Sequence, residues 1–478
     1  MNKRVISYVL GWVVCIEALC MLLPLVCSLY FRDSYAWAFA LSALFCLIVG
    51  IPLVLTGPKN RGMFAKEGFV IVGLSWLVIS IFGTIPFMLT GAIPNFIDAL
   101  FETASGFTTT GASILTDVEA LPKSVLFWRS FTHWIGGMGV IVFLVALLPL
   151  SGGNNLHLLK AESPGYSVGK LVPKVKATAK ILYEIYLVMT VLLIVLLKIG
   201  GLSLFDSACL AFGTAGTGGF AIKNSGLSEY SAYIQTVITV FMIMFGIDFS
   251  FYYLLLMKKI KQAFKLEEVL VYICIVFLSA IIIFFNIRSM YPTDAEAVRH
   301  SFFQVGTVIT TTGYATTDFN LWPELSKTLL VALMFCGACA GSTGGGMKVS
   351  RIMILVKSIV NEVKVITHPK SVKKVKMNKR ILDADTLRGV YMYFAAYALL
   401  YVAGMLILSL NNKDFITNFT AMVATMSNIG PGLSLVGPYG NYAVFSGLSK
   451  VVLTIAMITG RLEIFPMLVL ASVKTWKK

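Results

Sequence analysis

The 478 residues carry 57% apolar side chains, only 13% charged ones and a mean hydropathy of +0.83, whereas a soluble chain of this length would hold about a quarter charged residues. Composition therefore excludes a soluble enzyme or binding domain and points to a polytopic membrane protein. The formal charge of +16 would suggest nucleic acid in a soluble domain, but in a membrane chain basic loops on the inner face explain it, so no nucleic-acid partner is expected.

The chain opens MNKRVISYVLGWVVCIEALCMLLPLVCSLYF, a basic start followed by an apolar run too long for a cleaved signal peptide. It reads as a retained first helix. Ten apolar spans are long enough to cross a bilayer, at 5–31, 35–56, 68–92, 124–150, 179–200, 231–257, 268–289, 324–347, 387–410 and 443–471. The first two make a hairpin within 1–57. The other eight pair into units at 68–150, 179–257, 268–363 and 387–471.

Each pair encloses one copy of a sixteen-residue stretch: Phe96–Gly111, Leu204–Gly219, Val298–Gly313 and Phe415–Gly430. Each copy opens on a polar residue (Asp98, Asp206, His300, Thr417), and an opening Asp or Thr is expected to cap a helix. About ten helix-compatible residues follow, then a step rich in Thr, Gly, Ser and Asn, then a glycine. The glycines fall 108, 94 and 117 residues apart, too long a period for a solenoid and suited to four copies of a membrane module.

Ten helical residues rise about 15 Å, half the hydrocarbon core, so the stretch dips to mid-membrane and cannot cross. Its last turn directs the negative end of the helix dipole inward, which favours a cation. The small-residue tail with its glycine can return as an extended strand. Such backbone is tolerated at that depth only where it is buried in protein or lines a cavity. Four strands around one axis would offer rings of carbonyl oxygens in place of an ion's water shell. The expected ligands are the two residues before each glycine, Thr109 and Thr110, Thr217 and Gly218, Thr311 and Thr312, Asn428 and Ile429, with Gly111, Gly219, Gly313 and Gly430 closing each strand.

With the N-terminus inside, 28 of the 39 Lys and Arg fall on inner segments, and the stretches enter from outside. The richest inner segment is Lys348–Arg388, including His368–Arg380. Enzyme constellations are lacking: there are four histidines, no H-E-x-x-H and no G-x-S-x-G. The eight cysteines form neither a disulfide framework nor a metal set. Gly341–Lys348 resembles a phosphate loop superficially but lacks the GK[ST] ending and a preceding strand. No enzymatic activity and no bound organic cofactor are expected.

The same region reads better as a break. Gly337, Gly341, Gly344, Gly345 and Gly346 interrupt the eighth span, and each glycine costs a helix about 1 kcal/mol against alanine. Arg461 lies mid-span with no acidic residue three or four positions away, so it needs a tertiary partner or a wet cavity. Glu463 is two residues on and faces elsewhere. Asp248, Glu17 and Glu102 are candidates for buried polar contacts, Glu102 toward the backbone of the first stretch. The segment 128–139 reads as an interfacial anchor leading into a glycine-faced packing surface.

The TTTGAS at Thr108–Ser113, TGGF at Thr217–Phe220, TTTGY at Thr310–Tyr314 and NIGPG at Asn428–Gly432, with their flanking helices and the broken eighth span, resemble the TrkH/KtrB potassium transporter superfamily, TrkH most of all. The likeness covers essentially the whole chain. It implies an all-α membrane fold of ten transmembrane helices, an N-terminal hairpin plus four helix–pore loop–helix repeats with pseudo-fourfold symmetry, and K+ as the transported ion. The broken segment would be a gate below the filter, with Arg461 beside it. Only the glycine recurs in all four copies, so K+ over Na+ selectivity looser than in a tetrameric potassium channel is expected. The resemblance further implies a lipid-embedded homodimer with one pore per monomer in the bacterial inner (plasma) membrane. A cytosolic nucleotide-binding regulator of TrkA type would dock on Lys348–Arg388. Two modes stay open, channel-like passage and symport with Na+ or H+; symport would need carboxylates on the path, for which Asp248 and Glu102 are the candidates.

Overall fold

The structure, a computed structural model, describes residues 1–57, 64–139, 175–368 and 374–477. Helices dominate. Among the described residues the strands are one small hairpin, Lys376–Met377 paired antiparallel with Arg380–Ile381. Its turn residues Asn378 and Lys379 have φ of 50° and 64°, the left-handed pair that matches strand twist in a two-residue turn.

The N-terminal helix Lys3–Cys20 is interrupted at Met21 and resumes as Leu22–Phe31, where Pro24 has no N–H to offer the Cys20 carbonyl. Arg32, at φ 55°, reverses the chain, and Ala36–Leu55 packs back along the first helix. Two glycines let the backbones approach: a Cβ on Gly11 would lie 2.9 Å from the Gly50 carbonyl oxygen, and one on Gly50 3.0 Å from that of Gly11.

Four repeats follow. Their outer helices are Ala65–Phe82 with Lys123–Gly137, Val175–Ile199 with Ala232–Phe245, Glu267–Ile287 with Glu324–Cys336, and Ala384–Leu408 with Gly447–Arg461. Their re-entrant helices are Phe96–Phe107, Leu204–Ala215, Asp294–Ile309 and Phe415–Met426. Each re-entrant helix packs between the two helices of its own repeat and against the second helix of the repeat before it. The first packs on Gly447–Arg461 of the fourth, which closes the ring into a pseudo-fourfold all-α assembly.

Among the described residues six helices are long and apolar enough to cross a membrane, or seven if the bent pair Ala232–Phe245 and Phe249–Leu256 is one span. The shortfall from ten lies where expected spans are interrupted. The stretch 231–257 turns by 90°; 324–347 stops being helical at Cys336; 443–471 breaks after Arg461 and resumes at Phe465. In 124–150 the helix Lys123–Gly137 is seen, and residues 140–174 lie outside the described ones.

The re-entrant helices begin differently from expectation. The caps are Asn95, Ser203, Thr293 and Asp414, whose side-chain oxygens accept first-turn N–H groups. Asp98, Asp206 and Thr417 sit two residues inside the helix start, and His300 lies a turn further in. A cap must hold non-helical φ/ψ immediately before the first helical residue, and only the earlier polar residues do.

Gly50→Leu forces the hairpin helices apart and is expected to destabilise the detergent-solubilised protein by about 1–3 kcal/mol. A melting curve identical to that of the native protein would show that the hairpin does not depend on this contact.

Candidate functional site

All four re-entrant helices end in the same way. The N–H groups of Thr110, Gly218, Thr312 and Ile429 donate to carbonyls five residues upstream, at Ser105, Gly213, Thr307 and Ala424, over 2.8–2.9 Å. This is the six-to-one bond of a Schellman cap, which needs a left-handed residue just before the donor. Thr109, Thr217, Thr311 and Asn428 supply it, at φ of 55°, 54°, 58° and 56°. Glycine is usual there, and a β-branched residue at positive φ is strained by about 1–3 kcal/mol. Two residues on, Gly111, Gly219, Gly313 and Gly430 are left-handed again, at 76°, 79°, 86° and 95°.

The strands touch one another in order. A Cβ on Gly111 would overlap the Gly218 carbonyl oxygen, one on Gly219 that of Thr312, one on Gly313 that of Ile429, and one on Gly430 that of Thr110. The four contacts run around the repeats and return to the start. Eight of the twelve residues expected from the sequence make these contacts, and the other four, Thr109, Thr217, Thr311 and Asn428, directly precede Thr110, Gly218, Thr312 and Ile429 in the chain. The four glycines line a cavity of about 230 Å³ on the side from which the re-entrant helices enter. The capping bonds close on carbonyls upstream and do not use those of the two residues before each glycine.

A polar shell holds the ring from behind. Glu102 accepts from Ser113 Oγ (2.9 Å), from the Ile114 N–H (3.0 Å) and from Arg129 Nε (2.7 Å). Arg129 Nη1 donates to the Ala221 carbonyl (2.9 Å), and the guanidinium lies 3.5 Å above the Phe220 ring centroid. His133 Nε2 accepts the Phe220 N–H (3.2 Å), so Nδ1 carries the proton donated to the Gly106 carbonyl (2.7 Å). Trp128, Arg129 and His133 are thus buried behind the first two strands, and 128–139 is not an interfacial anchor. In the fourth repeat Asn428 Nδ2 donates to the Met457 carbonyl (2.8 Å) and to Thr110 Oγ1 (3.0 Å), and Tyr442 OH donates to the Gly430 carbonyl (2.6 Å).

The interrupted eighth span lies under the C-terminal ends of the third and fourth re-entrant helices. Gly337, Gly341 and Gly346 take φ of 73°, 78° and 74°, and the chain becomes helical again at Val349. The Gly345 N–H donates to Thr311 Oγ1 (2.7 Å). A Cβ on Gly344 would lie 2.9 Å from the Thr310 carbonyl oxygen, and one on Gly345 2.7 Å from that of Ser427. The loop also docks on the bend of the second repeat: the Cys339 N–H donates to the Gly246 carbonyl (3.1 Å), Thr343 Oγ1 to that of Phe245 (3.2 Å), and the Phe249 N–H to that of Gly341 (3.0 Å). Two broken helices satisfy each other's freed backbone groups.

Arg461 joins the loop to the first repeat. Its Nη1 donates to the Thr343 carbonyl (2.8 Å) and its Nη2 to the carbonyls of Gly136 and Gly137. Lys348 Nζ donates to the Gly344 carbonyl, and Arg351 pairs with Glu463. A cavity of about 210 Å³ lies here, lined by Gly341, Gly344, Gly345, Gly346, Lys348 and Arg461 among others. Lys348 and Arg351 are buried and do not belong to the basic surface expected from 348 onward. That surface begins at Lys357: with Lys364, Lys374, Lys376 and Lys379 it lines a cleft of about 820 Å³. Residues 369–373 lie outside the described ones.

Sequence reading missed His133, Tyr442, the side chain of Asn428, Lys348 and Glu268. A histidine four residues after an arginine inside an apolar span was the available signal for the first.

The TrkH family model, described as cation transport protein, matches residues 37–478. Over the full length of both chains the sequence is 34% identical to the Trk system potassium uptake protein TrkH of Escherichia coli K12. It is 31% identical to TrkG of the same organism, over 100% of this chain and 99% of the relative. The fold superposes on the crystal structure of the potassium transporter TrkH from Vibrio parahaemolyticus with a TM-score of 0.90, at 32% identity and full coverage of both chains. The chain belongs to the TrkH family of cation transport proteins.

Proposed function

We propose that this chain takes up potassium through the four-strand ring, in channel-like fashion. The carbonyls of Thr109, Thr110, Thr217, Gly218, Thr311, Thr312, Asn428 and Ile429 replace the ion's water shell. The observation that carries this reading is the fourfold repetition of one C-cap, with alternating left-handed residues and a closed cycle of glycine–carbonyl contacts. Four helix dipoles end at the ring with their negative poles, which suits a cation. Rubidium uptake in potassium-uptake-deficient cells tests the activity. The mode follows from whether uptake tracks membrane potential without an added sodium or proton gradient. Channel-like passage is favoured over symport because Glu102 is committed to Arg129 and the strand backbone, and Asp248 caps the Ser250 N–H.

Replacing Gly313 by Ser places a Cβ against the Ile429 carbonyl at a left-handed residue. Distortion of one quadrant is expected to lower potassium-over-sodium preference by about tenfold, or ~1.4 kcal/mol, while the protein still inserts. Unchanged ion preference in flux competition would remove Gly313 from the filter.

The loop Gly337–Gly346 and Arg461 act as the gate. The loop lies directly beneath the ring, and the arginine holds it while setting a positive charge below the ring. Charge-assisted hydrogen bonds contribute about 1.5–3 kcal/mol each. Arg461→Ala, or deletion within Gly341–Gly346, should therefore raise basal potassium flux in proteoliposomes by about tenfold or more. Normal basal flux in both variants, inserted at native levels, would exclude this gate.

The protein works in the bacterial inner membrane with its N-terminus and basic segments on the cytoplasmic side, which the distribution of Lys and Arg supports. It forms a homodimer with one pore in each subunit. A cytosolic nucleotide-binding regulator of TrkA type docks on the basic face, for which the lysine-lined cleft offers charge complementarity. Neutralising Lys373, Lys374 and Lys376 together is expected to weaken co-purification of that regulator, and the native complex should loosen as salt rises. Full, salt-insensitive binding by the variant would move the docking face elsewhere.

A further inference from the structure

Two consecutive carboxylates connect regions that the proposed function leaves separate. Glu268, in the first turn of Glu267–Ile287, is buried. One of its oxygens accepts both the Ala340 N–H (2.7 Å) and the Ser350 N–H (3.0 Å). It therefore grips the proposed gate loop on one flank and the helix that follows it on the other, and the Val349 N–H to Ala338 carbonyl bond (3.0 Å) draws the same two segments together. Its neighbour Glu267 faces the cytoplasmic hairpin. The Glu267 N–H donates to Asn378 Oδ1 (2.9 Å), and its carboxylate receives Lys357 Nζ (2.5 Å), which also donates to the Lys376 carbonyl (3.1 Å). The hairpin is seated rather than dangling: Val375, Met377 and Leu382 are buried in one apolar cluster with Leu266.

We infer that Glu267 and Glu268 form a two-residue link through which displacement of the hairpin at Lys376–Ile381 moves the gate loop, with Glu268 as the positioning residue that holds the loop in place. The inference rests on reading Gly337–Gly346 as the gate. Its physical basis is short. A force on the hairpin turn is delivered to the N-terminus of one helix through the Asn378 and Lys357 bonds. The next residue on that helix holds the loop, with no flexible segment between them. A carboxylate accepting two backbone N–H groups makes strong hydrogen bonds, and losing it leaves both donors buried and unpaired.

The native Cys339 reports the loop. It is fully buried in the docked state, and its labelling in the denatured protein sets the reference for full access. The full-length protein in proteoliposomes is treated with a small maleimide, and modification of each cysteine is followed by mass spectrometry alongside rubidium flux. Glu268→Ala is expected to raise the rate at Cys339 by about tenfold over that in the native protein. Glu268→Gln keeps an oxygen that can accept both bonds and should stay close to the native rate. The double variant Lys357→Ala with Asn378→Ala leaves the loop and Glu268 intact and should raise Cys339 modification several-fold. It also decides the matter if Glu268→Ala does not insert. Native protection of Cys339 in the double variant, or in inserted Glu268→Ala, overturns the link. Raised modification with unchanged rubidium flux upholds the link and overturns the gate reading instead.

Discussion

Backbone polar groups at mid-membrane have no water to bond with, and the structure around the ring is organised by that constraint. Four helices stop halfway across, and each leaves its last carbonyls and the following strand in protein interior. The Schellman cap settles the carbonyls upstream, at Ser105, Gly213, Thr307 and Ala424, by the same bond in every repeat. It does so through a left-handed residue, which turns the following strand away from the helix axis. Three of those residues are threonines, so local strain is accepted where geometry must be held. The surrounding packing must then over-determine the conformation.

That packing is fourfold only in outline. Behind the first two strands stand a buried ion pair, Glu102 with Arg129, and the neutral imidazole of His133. Behind the third, Tyr314 OH reaches the Leu210 carbonyl of the second re-entrant helix over 3.2 Å. The fourth uses Asn428 and Tyr442. Each repeat thus reaches one backbone geometry with different side chains. A chain that carries all four repeats can do this, because no copy has to satisfy four positions at once.

The interruptions outside the ring obey the same constraint. The bend after Phe245 exposes carbonyls of Phe245 and Gly246, and the glycine loop of the third repeat supplies donors to both. The break after Arg461 leaves Glu463 and Ile464 at φ of 54° and 73°, and Glu463 is held there by Arg351. The cationic groups Arg461 and Lys348 donate to loop carbonyls. Charge and irregular backbone are therefore placed together, each meeting the other's need for a partner at a depth where solvent offers none.

Local signals in the chain were enough for the repeat plan, the membrane setting, the four glycine-ended stretches and the break at Gly337–Gly346. Each depends on composition, hydropathy or backbone permissiveness within a window of about twenty residues. The need of Arg461 for a distant partner was also legible, since its helical neighbours could not serve. Its partners, the carbonyls of Thr343, Gly136 and Gly137, were not. They lie 118 and more residues away in sequence and are backbone atoms, identical in every residue. Helix starts were misplaced by three residues in three repeats because a cap is chosen by φ/ψ, which neighbouring packing sets, and several polar residues were eligible. The buried roles of His133, Glu268 and Tyr442 were decided only in three dimensions. Each bonds to backbone of another segment, and a hydrogen bond to a peptide group leaves no mark in the sequence of its acceptor.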